Sequence, residues 1–237
     1  MLTKINRVWA IVVLIAATMG MTSCLKNNVD TTPQRPTFWL NVANLSTYSG
    51  TMDLYDNGKK ITNTGITGFF SEVIGGYSGP HEMKMTVAGK DSVLATASSQ
   101  LDSLHYYTYM VYGGNPVKAA FVESNLTNYS PTSVNLRFYN LSASIGPVDV
   151  YMGSKKVFEN VVYADGYFRP DFTTFNDITE GNVITVKKAG TTEVVATNNS
   201  LKVSSLQTGG VYTAYVTGNA GSTGNDKPST NVIYGAY

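Results

Sequence analysis

Cysteine and charge are scarce in this sequence, and each shortage excludes a class of protein. The single cysteine, Cys24, cannot form an intrachain disulfide, so hydrophobic cores must stabilise the fold. Lysine and arginine total 17 against 16 acidic residues, and this near-neutral balance offers no basic stripe for nucleic acid. We therefore expect a fold without disulfides that does not bind nucleic acid.

Reactive clusters are also lacking. His81 and His105 are the only histidines, and neither has the neighbouring cysteines or paired acids of a zinc site. Gly76-Tyr77-Ser78-Gly79 approaches the nucleophile elbow of hydrolases, but Pro80 stands where that motif requires glycine. We therefore predict no catalytic residue, no metal and no cofactor, and we expect that the protein is not an enzyme.

The first 23 residues have the three parts of a secretion signal. Lys4 and Arg7 give a positive start, and an almost wholly apolar run follows from Val8 to Met19. This run is about a dozen residues long, whereas a helix needs roughly 20 to cross the hydrocarbon layer of a bilayer. Residues 1–23 are therefore predicted to be a signal peptide rather than a transmembrane helix.

Met21-Thr22-Ser23-Cys24 resembles the lipobox of bacterial lipoproteins, with methionine in place of the usual leucine. The resemblance implies cleavage before Cys24 and acylation of that residue, which makes a membrane the first expected partner, through a lipid anchor. We expect the outer membrane, with the periplasmic or the surface face left open. Residues 24–36 are polar, contain Pro33 and Pro36, and are predicted to be a tether. The alternative is an ordinary secreted protein with a free thiol.

An internal repeat organises the rest of the chain. Asn44-Leu45-Ser46 recurs as Asn140-Leu141-Ser142, 96 residues farther on (140 − 44), and Asp53 recurs as Asp149 at the same offset. Later matches drift to larger offsets, as loop insertions between fixed strands would produce. The sequence therefore predicts two copies of one domain, at residues 37–126 and 127–237. Because Asp53 and Asp149 occupy equivalent positions in different copies, we interpret them as a repeated strand or turn contact.

Each copy has the pattern of β structure. Apolar and other residues alternate along the opening strand of both copies, which is typical of a strand with one buried face. The apolar residues are Phe38, Leu40 and Val42 in the first copy and Val134, Leu136 and Phe138 in the second. Short strands separated by Gly, Asn, Ser and Thr turns, without helical periodicity, predict an all-β protein with two tandem immunoglobulin-like β-sandwiches.

Several of these elements resemble the DUF4397 family of bacterial exported proteins. They are the Asn-Leu-Ser endings of the opening strands, Val148 to Tyr151, Val161 to Tyr163 with Tyr167, Glu180-Gly181, and Tyr212 to Val216. The resemblance implies small β-sandwich domains, often in tandem, in a family of unknown function. Lipidated tandem versions resemble proteins of the Bacteroidetes, which are often described as adhesion-like.

Trp39 is the candidate ligand contact. It lies on the strand face opposite Phe38 and Leu40, so it either packs between the domains or is exposed for contact. We expect a non-catalytic, lipid-anchored cell-envelope protein that serves as a spacer or as an adhesion or glycan-binding module, with a glycan or an envelope protein as its partner. One alternative is an envelope hydrolase with an unrecognised site between the domains. Another is a surface-fibre subunit, although both domains are predicted to be complete, without the missing strand that donor-strand exchange requires.

Overall fold

The structure, a computed structural model, describes residues 35–68, 70–176, 184–198 and 206–234. Every described residue belongs to one compact unit, Arg35–Tyr237. The predicted signal peptide, Cys24 and residues 24–34 of the predicted tether lie outside the described residues. In the described ranges, no helix is long and apolar enough to span a membrane.

Regular structure in the described residues consists of sixteen strands and one short 3-10 turn at Gly224–Asp226. The first eight strands are β1 (Thr37–Asn44), β2 (Met52–Asp56), β3 (Lys59–Lys60), β4 (Phe70–Tyr77), β5 (Gly79–Val87), β6 (Val93–Leu101), β7 (Tyr106–Gly113) and β8 (Val117–Glu123). The other eight are β9 (Val134–Asn140), β10 (Val148–Met152), β11 (Lys155–Val161), β12 (Thr173–Phe175), β13 (Ile184–Lys188), β14 (Val194–Asn198), β15 (Val211–Thr217) and β16 (Ser229–Tyr234).

The two halves of the chain have the same topology. Strands β1 to β8 form two four-stranded sheets, in the orders β4-β1-β7-β8 and β3-β2-β5-β6. Strands β9 to β16 repeat these orders as β12-β9-β15-β16 and β11-β10-β13-β14. In each half the first strand runs parallel to the seventh, and the other pairings are antiparallel. Each half is thus one sandwich, and the boundary predicted between residues 126 and 127 falls in the segment that joins β8 to β9.

A separate hydrophobic core fills each sandwich. In the first, Phe38, Leu40 and Val42 of β1 pack against Met52 and Leu54 of β2. Their equivalents in the second core include Leu136 and Phe138 of β9 and Val148 and Val150 of β10. Fully burying one such side chain contributes about 1.5–3 kcal/mol. The alternating apolar residues therefore form these cores as predicted, and the all-β class with tandem β-sandwiches is confirmed.

A third apolar cluster joins the two sandwiches. It combines residues from the outer faces of the sheets that contain β1 and β9, namely Ala43, Leu45, Met110, Tyr112 and Val122 from the first sandwich and Tyr139, Leu141, Tyr215 and Ile233 from the second. Both faces of each of these sheets are therefore covered over the area of contact. The two sandwiches therefore share a buried apolar interface and are not joined by the linker alone.

Candidate functional site

The repeated asparagine at the end of β1 and β9 has a structural task. The side-chain oxygen of Asn44 accepts a hydrogen bond from the backbone N–H of Ser46, and that of Asn140 accepts one from Ser142, both at 3.1 Å. The side-chain amide of Asn44 also donates to the carbonyl oxygen of Gly68, and that of Asn140 donates to those of Gly146 and Val161. The Asn-Leu-Ser motif therefore recurs because it closes the same turn twice.

The repeated aspartates are buried and paired with lysines. Asp53 contacts Lys60, and Asp149 contacts Lys156, each with an N···O distance of 2.9 Å. The hydrogen bond from Lys60 lowers the pKa of Asp53, and the hydrogen bond from the backbone N–H of Asn160 does most to lower the pKa of Asp149. The two acids lie in different sandwiches, and each is a contact within its own sheet, as the repeat predicted.

The two histidines have separate partners. Nδ1 of His81 lies 2.9 Å from the Asp56 carboxylate, and its Nε2 lies 3.0 Å from the carbonyl oxygen of Tyr77. His105 contacts Glu123 at 2.6 Å. No group of three or more His, Cys, Asp or Glu side chains is placed to hold a metal ion within the part of the chain that the structure describes.

Trp39 lies on the outer face of β1, as its place in the alternation predicts. Its indole stacks on the ring of Tyr106, the residue beside it on β7, with a centroid distance of 4.9 Å and an interplanar angle of 15°. The side chain is nevertheless 37% exposed. Trp39 is therefore held in one orientation by an aromatic neighbour while part of the indole stays open to solvent.

The strand on the other side of Trp39 extends this exposed area. Gly75 of β4 is the residue directly opposite Trp39, and a Cβ there would meet almost no other atom. Val73 and Tyr77 lie two residues to either side of Gly75, on the same face of the sheet, and both are exposed. We call these five residues, Trp39, Val73, Gly75, Tyr77 and Tyr106, the Trp39 surface. This face is mostly apolar, and Gly75 leaves space on it beside the indole of Trp39.

A cleft of about 460 Å³ opens at one edge of the second sandwich, between β9 and β11. Half-buried Phe158 and Val161 of β11 line it and pack against the core. Exposed Val162, Tyr167 and Arg169 also line the cleft. Its volume is within the range of about 300–1,000 Å³ that is typical of small-ligand sites.

Comparison with family models identifies the region that contains most of these features. Residues 38–151 match the model described as a domain of unknown function, DUF4397. These residues belong to the DUF4397 family. The match covers all but the first residue of β1, continues through β8 and β9, and ends within β10 of the second sandwich. No curated protein matches the chain. The predicted DUF4397 family is therefore confirmed for residues 38–151, which include the Trp39 surface.

Two features of these sites were not predicted from sequence. The stacking partner of Trp39 depends on β1 lying beside β7, which are about 70 residues apart in the chain. The cleft depends on β12 being shorter than its counterpart β4, and neither strand has a clear apolar alternation in the sequence, so no sequence pattern marked it.

Proposed function

We propose that this DUF4397 protein is a non-catalytic lipoprotein of the bacterial cell envelope. In this proposal Cys24 carries the lipid, residues 25–36 form a tether, and the two joined sandwiches act as a spacer that presents a glycan-binding surface. The leader pattern before Cys24 supports the anchor. The apolar cluster between the sandwiches supports the spacer, because it makes one continuous body of the two domains.

The single observation that supports binding is the partly exposed, stacked indole of Trp39. Aromatic rings offer a flat apolar face to the C–H groups of a sugar ring, and Tyr and Trp add a polar edge. Since Tyr106 already holds the indole, a ligand would lose little affinity to ordering it. Gly75 leaves room for a ring next to the indole.

A glycan array with the detergent-solubilised full chain tests the binding part of this proposal. We expect the Trp39→Ala variant to lose at least about tenfold in affinity for the glycans that the wild-type protein retains, since a central aromatic contact contributes more than 1 kcal/mol. Val93→Ala is the matched control, because Val93 is also an exposed apolar residue but belongs to β6 in the opposite sheet. Equal binding by wild type and the Trp39 variant would exclude this surface.

Metabolic labelling tests the anchor separately. Cells that express the chain and are grown with labelled palmitate should incorporate the label into the wild-type protein and not into a Cys24→Ala variant. The wild-type protein should also sediment with membranes. Label that enters both forms equally, or neither, would contradict acylation at Cys24 without affecting the assignment of the Trp39 surface.

A further inference from the structure

Equivalent edges of the two sandwiches are covered to different extents. In the first sandwich, β4 pairs with β1 along all eight residues from Thr37 to Asn44. In the second, β12 pairs with β9 only from Val134 to Leu136. The chain meets β9 again at Asn140, where Tyr163 makes an isolated bridge. Between these points, a stretch of β9 lacks the strand that covers its counterpart in β1.

Phe138, whose side chain is buried in the core, is at the centre of the stretch that lacks a strand partner. Its equivalent in the first sandwich, Val42, is paired with Glu72 of β4. Across from Phe138, none of the residues that the structure describes forms a strand pairing. The second sandwich therefore lacks one backbone partner that the first sandwich has.

The backbone groups of Phe138 point into the cleft. The N–H of Asn135 donates to the carbonyl oxygen of Gly210, the residue just before β15. The N–H of Leu141 donates to the carbonyl oxygen of Val216 in β15. Alternate residues of a strand direct their N–H and C=O groups to the same neighbour, so the residues two apart from Asn135 and Leu141 also face β15. Phe138 lies out of phase with them and directs its N–H and C=O to the other side, where the cleft is open. A backbone donor and acceptor in this position favour a partner.

The unpaired stretch of β9 is short, and the protein's own chain pairs with β9 at both ends of it. Thr173 occupies the position opposite Leu136, and Tyr163 occupies the position opposite Asn140. The four residue steps between these positions span about 13 Å, which leaves room for three paired residues. A long donor strand would collide with the protein's own chain at both ends. A segment that pairs over three residues and then turns away from the edge would fit.

The two faces of the sheet give the opening a side-chain preference. Directly opposite residues share a face, so the central residue of a bound segment would point towards Phe158 and Val161, below Phe138. The flanking residues would share the outer face with Arg137 and Tyr139. That face is crowded, because the Tyr139 hydroxyl donates a hydrogen bond to the carbonyl oxygen of Arg169 at 2.6 Å.

We propose that the cleft beside Phe138 binds an extended peptide segment of a partner protein, which completes the missing strand pairing over three residues and runs antiparallel to β9, as β4 runs to β1. The segment has a branched aliphatic residue at its centre, paired with Phe138, and a small residue on each side. Recognition is therefore a short form of strand addition, in which backbone hydrogen bonds provide affinity and one apolar pocket provides selectivity. This site is separate from the Trp39 surface and does not depend on the lipid anchor.

A matched pair of ligands tests the proposal on the full chain in detergent micelles. The first is acetyl-Ala-Val-Ala-amide, and the second is the same peptide with an N-methyl group on valine, which removes the N–H that would donate to the Phe138 carbonyl. In an NMR titration of isotope-labelled protein, we expect the first peptide to shift the Phe138 amide signal. The methylated peptide should bind about tenfold more weakly, because it loses one hydrogen bond and adds a clash.

Two variants of the protein provide a second test of peptide binding in the cleft. Val162 at the mouth of the cleft and Val194 on β14 are similarly exposed, at 61% and 54%. We expect Val162→Trp to weaken binding of acetyl-Ala-Val-Ala-amide about tenfold by narrowing the mouth, and Val194→Trp to change it by less than about twofold. Equal affinity for the two peptides, no shift at Phe138, no peptide binding, or displacement of the peptide by a methyl pyranoside would each overturn the proposal.

Discussion

The side-chain amide of Asn41, in the first sandwich, donates a hydrogen bond at 2.9 Å to the backbone oxygen of Tyr234, in the second. The bond lies between two sheets that also share an apolar cluster. A hydrogen bond of this kind contributes about 0.5–1.5 kcal/mol, whereas full burial of one large apolar side chain contributes about 1.5–3 kcal/mol, and the shared cluster contains several such side chains.

Shortening one leucine of the shared cluster should destabilise the whole body. Leu141 is 2% exposed and packs between the sandwiches, whereas Leu104 is 74% exposed on a loop of the first. We expect Leu141→Ala to lower the free energy of unfolding by about 2–5 kcal/mol, through lost burial and a cavity. Leu104→Ala should change it by less than about 0.5 kcal/mol. Urea denaturation followed by circular dichroism compares the two, and similar midpoints would contradict a packed interface.

Acid should destabilise the protein partly through its buried aspartates. The pKa of Asp149 is lowered in the folded state, chiefly by the N–H of Asn160, below the value of about 4 for a free aspartate. The carboxylate therefore contributes stability above that pH, and this contribution is lost as the pH falls towards the folded-state pKa. Asp149→Asn should make the fall in urea midpoint between about pH 7 and about pH 3 shallower than in wild type. A slope for Asp149→Asn equal to that of wild type would refute this assignment.

Replacing the buried Arg137 by lysine should weaken the junction between the sandwiches. Its guanidinium donates to Thr213 Oγ1 at 2.9 Å and to the backbone oxygens of Glu123 and Pro170 at 3.3 and 3.2 Å. Burial lowers the pKa of Arg137, and lysine cannot reproduce its planar set of donors. We expect Arg137→Lys to cost about 1.5–3 kcal/mol in unfolding free energy. Arg169→Lys, at an exposed site, should cost less than about 0.5 kcal/mol in the same urea experiment.

Hydrogen exchange should distinguish equivalent residues of the two edges. Val42 is paired with Glu72, whereas Phe138 faces the open cleft. We expect the amide hydrogen of Phe138 to exchange at least about tenfold faster than that of Val42, since exchange follows local hydrogen bonding and exposure. Residue-resolved exchange measured by mass spectrometry or NMR provides the comparison. Comparable protection at the two positions would mean that something already covers Phe138.

Strongly alternating strands were predictable from sequence, and glycine-containing ones were not. The alternation of Phe38, Leu40 and Val42 predicted the opening strand of the first copy, and all three residues lie in β1. β4 was not predicted as a strand, since Gly75 and Gly76 interrupt the apolar period. In the structure Gly76 lies against the ring of Phe38, where a side chain would collide. Gly76 thus interrupts the apolar pattern of β4 and is also the residue that the packing of β4 against Phe38 requires.

Burial of both faces of β9 was also beyond the sequence pattern. Asn135 and Arg137 alternate with apolar residues, which predicts one solvated face, yet all seven residues of β9 are buried. Polar side chains can be buried when protein groups satisfy their hydrogen bonds, as Ser130 does for Asn135. Polar residues on one face of a strand therefore do not show whether that face is exposed to solvent or packed against another sheet. For the same reason Trp39 could be assigned to a face, but its surroundings could not.

The apolar cluster between the sheets has a consequence for how the chain matures. Ala43, Met110 and Tyr112 belong to the half that is synthesised first, and their covering residues, such as Tyr215 and Ile233, come from the last part of the chain. During synthesis this apolar sheet face therefore stays exposed until β15 and β16 have been made. Exposed apolar faces of this kind promote aggregation with other chains. Protection by a chaperone would be needed most during that interval, and a stop codon after residue 126 would make the interval permanent.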